Sequence, residues 1–178
     1  MHDKKGVVMR LGIIMLAATL LAFPAYAQVT KKEDRFTGNT TFAYESKFSI
    51  KHHDYVLMPA SLFVHATYAS DKPESFSMMI LTNSSIGRSG RGGWRYLGVD
   101  NIHWLVDGKP FQLPQVVTQR NTQRGFVTEA FVQPLTREHA RALGAASSVE
   151  FRIGQDEFQL SENDFAGLAE IASTEAPE

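Results

Sequence analysis

The sequence predicts a mainly β fold: an antiparallel β-sandwich or curled sheet of about eight strands, with one short helix and a C-terminal amphipathic helix packed on it. Three observations carry this expectation. Phe42, Tyr44, Phe48 and Ile50 alternate with small or charged residues, the period-two pattern of a strand with one dry face. Apolar runs of this kind recur roughly every 8–15 residues, separated by Gly, Pro, Asn and Asp. Near the end, Val149, Phe151 and Ile153 alternate with Glu150 and Arg152, break at Gly154-Gln155-Asp156, and resume at Phe158 and Leu160. That hairpin runs into Ser161 and Asp164, spaced as a capping box with Asp in place of Glu or Gln. Phe165, Leu168, Ala169 and Ala172 then repeat at helical spacing.

Taken in order, the chain of 178 residues opens with a basic patch (Lys4, Lys5, Arg10), an apolar run from Leu11 to Phe23 and an Ala25-Tyr26-Ala27 triplet. These are the three parts of a secretory signal peptide, so residues 1–27 are expected to be removed. The leader takes three of the 18 basic and one of the 19 acidic residues and leaves a net charge of −3 on the remainder. That balance gives no footing for general nucleic-acid binding. The chain has no Cys, so packing and not disulfides must hold the exported domain. The expected location is the periplasm or the exterior, with no stable membrane span after cleavage.

Residues 28–172 are expected to form one β-rich domain, followed by a polar tail over 173–178. Gln28–Asp34 is polar and reads as a loose lead-in. Leu57–Ala69 is the next strand after the Phe42–Lys51 alternation. Phe76–Leu81 is apolar on both faces, as a central strand should be. Asn83–Gly93 is irregular, and order resumes at Trp94–Leu97. Asp107-Gly108, between Ile102–Val106 and Phe111–Leu113, is a two-residue hairpin signal. A further hairpin is expected about Asn121–Arg124. Thr136 is placed to cap a short helix over Arg137–Leu143 that Gly144 ends.

Three constellations bear on function. His52-His53-Asp54 supplies ligand types suited to zinc or copper, but strand neighbours point to opposite faces, so a metal site needs His65, His103 or His139 brought in by folding. Gly87–Arg95 places glycine amides beside Arg88, Arg91 and Arg95, a combination able to hold phosphate or carboxylate. Gly93 stands where a P-loop needs Lys, and Arg91 takes the last glycine of a nucleophile elbow around Ser89. Trp94 and Tyr96 follow that loop as candidate stacking or docking residues. No motif marks a Ser-His-acid triad, and His65 and His103 read as partly buried structural histidines.

The expectation is an exported, non-catalytic binding or interaction domain. Its ligand residues would be Arg88, Arg91, Trp94, Arg95 and Tyr96, and its partner an envelope protein or small ligand. No organic cofactor is implied. The alternatives are a periplasmic metal-binding protein using His52, His53 and Asp54, and a hydrolase that sets Ser89 or another Ser near a His.

Overall fold

The computed structural model describes residues 28–51, 57–69, 72–85, 93–123 and 125–176. The strands are β1 (Thr30–Asp34), β2 (Asn39–Lys51), β3 (Leu57–Ala69), β4 (Lys72–Ser85), β5 (Ile102–Val106), β6 (Lys109–Phe111), β7 (Val117–Gln123), β8 (Phe126–Leu135), β9 (Val149–Ile153) and β10 (Asp156–Gln159). The helices are α1 (Arg137–Gly144) and α2 (Glu162–Ser173). A larger sheet runs β1-β2-β3-β4-β8-β7 and a smaller one β10-β9-β5-β6. Every pairing is antiparallel. The fold is therefore mainly β, with two sheets and two helices, as the alternation predicts.

One core lies between the layers. Tyr44, Leu62, Val64, Ala66, Phe76, Met78, Ile80 and Phe131 cover the inner face of the larger sheet. Trp104, Val149, Phe151 and Ile153 of the smaller sheet and Leu143, Leu168 and Ile171 of the helices belong to the same cluster. β4 lies inside the larger sheet between β3 and β8, in keeping with its two apolar faces. The alternation in β9 is realised residue by residue, with Val149, Phe151 and Ile153 buried and Glu150 and Arg152 exposed.

Local chemistry sets the turns. Asp107 (φ +50°) and Gly108 (φ +73°) both take the left-handed region between β5 and β6, as a type I′ hairpin requires. The Asp107 carboxylate also accepts from the amides of Ser147 (2.8 Å) and Ser148 (3.0 Å), which ties this turn to the entry of β9.

Two expectations are corrected. Gln28–Asp34 is not only a lead-in: Thr30–Asp34 pairs with Asn39–Ala43 as an edge strand. All five of its residues are exposed, so no alternation could announce it. Gly144 does not stop α1 through a left-handed cap; it is the last helical residue, and Ala145 is the cap. A Cβ at Gly144 would lie 2.6 Å from the Ala169 nitrogen of α2, so this glycine permits a close crossing of the two helices.

Helix α2 is bolted to the sheet at both ends. Ser161 and Asp164 form the capping box, with the Ser161 amide donating to Asp164 Oδ2 at 2.7 Å. Buried Asp164 also accepts from the Tyr44 hydroxyl at 3.1 Å. Burial, and then the Asp164 charge, push the Tyr44 phenol up to about 12. At the other end Arg137 donates to the carbonyls of Ala172 (2.8 Å) and Thr174 (2.6 Å), to Tyr68 Oη (2.8 Å) and to Glu74. The guanidinium thus serves as a cap for carbonyls the helix cannot satisfy itself.

Between these ends Gly167 sits on the Tyr44 ring, where a Cβ would come within 2.5 Å of ring carbon. Replacing glycine by alanine inside an exposed helix stabilises it by about 1 kcal/mol. Here the ring is held by Asp164 and cannot yield. Gly167→Ala is expected to lower the unfolding free energy in urea by about 1–3 kcal/mol. A stabilised variant would mean that α2 does not lie this close to β2.

Candidate functional site

The chain leaves the larger sheet at Ser85 and enters the smaller one at Ile102. The described part of this crossing, from Gly93 onward, is fastened chiefly by a buried carboxylate. Glu129, in the middle of β8, is 1 % exposed. Its side chain accepts from the amide of Arg95 (2.8 Å) and from that of Tyr96 (3.0 Å). Arg120 of β7 donates to the carbonyls of Tyr96 (3.0 Å) and Val99 (2.9 Å) and lies 3.9 Å from Glu129. Arg95 then grips Asp156 of β10 through two bonds, Nε at 2.7 Å and an Nη at 2.6 Å. The fork geometry is the strong form of this pair.

The sequence candidates therefore separate. Tyr96 is 1 % exposed and packs edge-on against Phe131 at 5.5 Å, so its ring is core and offers no stacking surface. Burial, followed by the Asp156 carboxylate, raises its phenol above the ordinary range. The Arg95 guanidinium lies over the Tyr96 ring at 5.7 Å and is committed to Asp156. Of the described ligand candidates Trp94, Arg95 and Tyr96, only Trp94 keeps a surface, at 38 % exposure. Arg88, Arg91, Ser89, His52, His53 and Asp54 lie outside the described residues. His65 is half-buried on the outer face of the larger sheet, whereas His103 is exposed, against the expectation that both are partly buried. His139 is used locally: its Nδ1 accepts from the Thr136 amide at 3.2 Å in the cap of α1. Among the described residues no three His, Cys, Asp or Glu gather in a way that could hold a metal ion.

The structure offers a cleft that sequence reasoning missed. β6 pairs only with Trp104–Val106, so β5 outruns it at Ile102 and His103. The connector 112–116 passes beside this gap. It is pinned by Gln133, whose side-chain amide donates to the Pro114 carbonyl, and by the buried Val116. Between β5 and the connector lies a cleft of about 460 Å³, with Trp104, Phe111 and Leu113 among its apolar lining and His103, Gln112 and Arg152 among its polar lining. A second hollow of about 380 Å³ shares Gln115 and Val116 and is lined by Asp100 and Arg120. Among the described residues two buried donors at this junction, Trp104 Nε1 and Arg120 Nε, have no hydrogen-bond acceptor. Such groups cost about 1–3 kcal/mol each and concentrate where structure is subordinated to function.

His103 and Arg152 are cross-strand partners on β5 and β9. Arg152 is half-exposed and reaches Glu157 only at 4.0 Å. A contact that loose is worth little, and a ligand carboxylate can displace it with a bidentate pair.

No family model, curated protein or solved structure matches this chain. No helix among the described residues is long and apolar enough to cross a membrane.

Two predictions follow from this geometry. Glu129→Ala leaves the amides of Arg95 and Tyr96 without their acceptor and removes the charge that lies 3.9 Å from Arg120, and is expected to cost about 3–5 kcal/mol in urea unfolding; a loss below about 1 kcal/mol would show that the clamp is dispensable. Burial holds the His65 imidazole below its ordinary value of 6.5. The folded protein therefore resists a proton that the unfolded chain accepts, and stability falls as pH drops below about 6.5. His65→Gln should flatten the melting temperature between pH 7.5 and 5.5 relative to wild type, as scanning calorimetry at about 0.5-unit steps will show.

Proposed function

We propose that the chain is an exported, non-catalytic binding domain that takes a small anionic ligand in the cleft between β5 and the connector 112–116. The observation that carries this reading is the combination of an apolar wall with a displaceable cation. Trp104, Phe111 and Leu113 line the cleft together with Arg152, and among the described residues the ion-pair partner of Arg152 is Glu157, at 4.0 Å. The volume falls within the roughly 300–1,000 Å³ typical of small-ligand sites. Export rests on the leader read in residues 1–27. The reading takes the ligand off Arg95 and Tyr96, since both are occupied in holding the fold.

The test uses the two tryptophans. Trp94→Phe leaves Trp104, in the cleft wall, as the single indole reporter. Benzoate combines a flat apolar ring with a carboxylate and is a suitable probe. Its addition should quench or shift Trp104 emission saturably with a Kd on the order of 1 mM, as expected for so small a ligand. Arg152→Ala should raise that Kd about tenfold while leaving the melting temperature unchanged. A response that fails to saturate below about 20 mM, or one indifferent to Arg152, would remove the cleft as the site.

A further inference from the structure

The strand order leaves a backbone position of the smaller sheet unpaired, and that position opens into the cleft. The Asp107 amide donates to the Ser148 carbonyl at 2.9 Å. Hydrogen-bonding direction alternates along an antiparallel strand. In the register of β5 on β9, Leu105 and His103 therefore turn their N–H and C=O toward β9, while Val106, Trp104 and Ile102 turn theirs to the other side. There Val106 meets Lys109 and Trp104 meets Phe111 of β6. Pro110 stands opposite Leu105, where a missing N–H leaves nothing unpaired. Ile102 comes next in this alternation, but β6 has already ended. Among the described residues the N–H and C=O of Ile102 have no hydrogen-bond partner, and Ile102 lines the cleft.

We infer that the cleft captures the carboxyl end of a peptide, laid beside Ile102 as a short strand parallel to β5. This rests on the reading of the cleft as a ligand site whose cation is Arg152. An unpaired donor and acceptor on one extended residue call for a ligand that carries an acceptor and a donor of its own, and a peptide main chain has both at the matching spacing. Phe111 already fills the position opposite Trp104. A bound chain can therefore run out only past Asn101, and it must end on the Phe111 side. Arg152 stands at that closed end, as the cross-strand partner of His103, one residue from Ile102 toward Trp104. A terminal carboxylate placed there fixes the direction of the chain as parallel to β5.

The pairing gives each of the last ligand residues a role. In a parallel pair one residue bonds to both neighbours of the residue opposite it. The Ile102 N–H thus donates to the carbonyl that precedes the penultimate residue, and the N–H of the last residue donates to the Ile102 C=O. The penultimate side chain shares the face of Ile102 and Trp104, both of which belong to the core layer. Leu113 and Val116 also line the cleft and pack in that layer, so this side chain is apolar. The last side chain turns to the outer face with His103, where glycine suffices. Its carboxylate takes Arg152 in the bidentate form. Phe111 and the connector close the gap, so it admits a single segment and the sheet grows no further.

The probe is N-acetyl-Phe-Gly, read by Trp104 emission in the full-length Trp94→Phe protein. Its Kd should lie at least about tenfold below that of benzoate, since it adds two hydrogen bonds to the same carboxylate contact. Replacing the glycine N–H by an ester oxygen, or the carboxylate by an amide, should each raise Kd about tenfold. Moving the ring to the last position, as in N-acetyl-Gly-Phe, should weaken binding at least about tenfold by taking it off the apolar wall. Hydrogen exchange followed by NMR needs no variant. In the free wild-type protein the Ile102 amide should exchange at least about 100-fold faster than those of Trp104 and Val106, and saturating N-acetyl-Phe-Gly should slow it at least about tenfold. An Ile102 amide as protected as that of Trp104 in the free protein, or an ester analogue that binds as tightly as N-acetyl-Phe-Gly, would overturn peptide capture and leave the cleft as a site for simple carboxylates. If neither benzoate nor N-acetyl-Phe-Gly saturates the signal below about 20 mM, both readings fall.

Discussion

Union of the two sheets depends on a buried carboxylate. Glu129 stands at an inward position of β8 between Val127 and Phe131, where the pattern of the strand calls for an apolar residue. A carboxylate there is tolerable only if its oxygens are satisfied. The amides of Arg95 and Tyr96 do this, and Arg120 lies close enough to offset the charge. The same bonds fix where the chain turns from one sheet toward the other. Tyr96 is thereby lowered onto Phe131, and Arg95 is brought within reach of Asp156 on the far edge of the smaller sheet. One polar group thus specifies the relation of two layers that apolar contact alone would leave free to slide, since hydrophobic attraction has no direction.

The helices answer a complementary requirement. The inner face of β2 and β3 must be kept from water beyond the reach of the smaller sheet, and α2 does so at unusually short range. Gly167 allows its backbone down onto the Tyr44 ring, and Gly144 allows α1 against Ala169. Close approach exposes the helix termini to burial, so both ends need partners. Asp164 serves at the start, bonded to Ser161 and Tyr44. Arg137 serves at the end, and its hydrogen bonds draw Glu74 below the ordinary carboxylate range. Because Arg137 also opens α1, one side chain links the two helices, β3 and β4 in a single network.

Features whose cause is local were legible in the sequence. The β9–β10 hairpin, the Ser161–Asp164 cap and the Asp107-Gly108 turn each rest on residues a few positions apart, and each is found where the pattern placed it. β1 was not legible, because an edge strand exposed on every side chain is held by backbone bonds that leave no trace in composition. The Arg95–Tyr96 segment was misread for a related reason. An arginine and a tyrosine beside a glycine loop look like a ligand site, and only the distant Glu129 and Asp156 turn them into a structural joint. A signal did exist: Glu129 shares parity with Val127 and Phe131, which marks a carboxylate pointing inward and in need of donors. The cleft had none, since it arises where β6 stops short of Ile102 and the connector is pulled across by Gln133.

The treatment of the strand edges bears on how this molecule meets others. Exposed edges invite pairing with a foreign strand, and proteins blunt them with charge, proline or inward-pointing ions. All four edges here are blunted. β1 carries Lys31, Lys32, Glu33 and Asp34, and β7 turns Arg120 inward. β6 holds Lys109 and Pro110, and β10 holds Asp156 and Glu157. On the outer face of the larger sheet Phe63, Met79, Leu81 and Val132 stand together across three strands, flanked in the same rows by Glu45, Lys47, Ser61 and Gln119. The guarded edges oppose addition of a further strand, a kind of pairing that can otherwise continue without end.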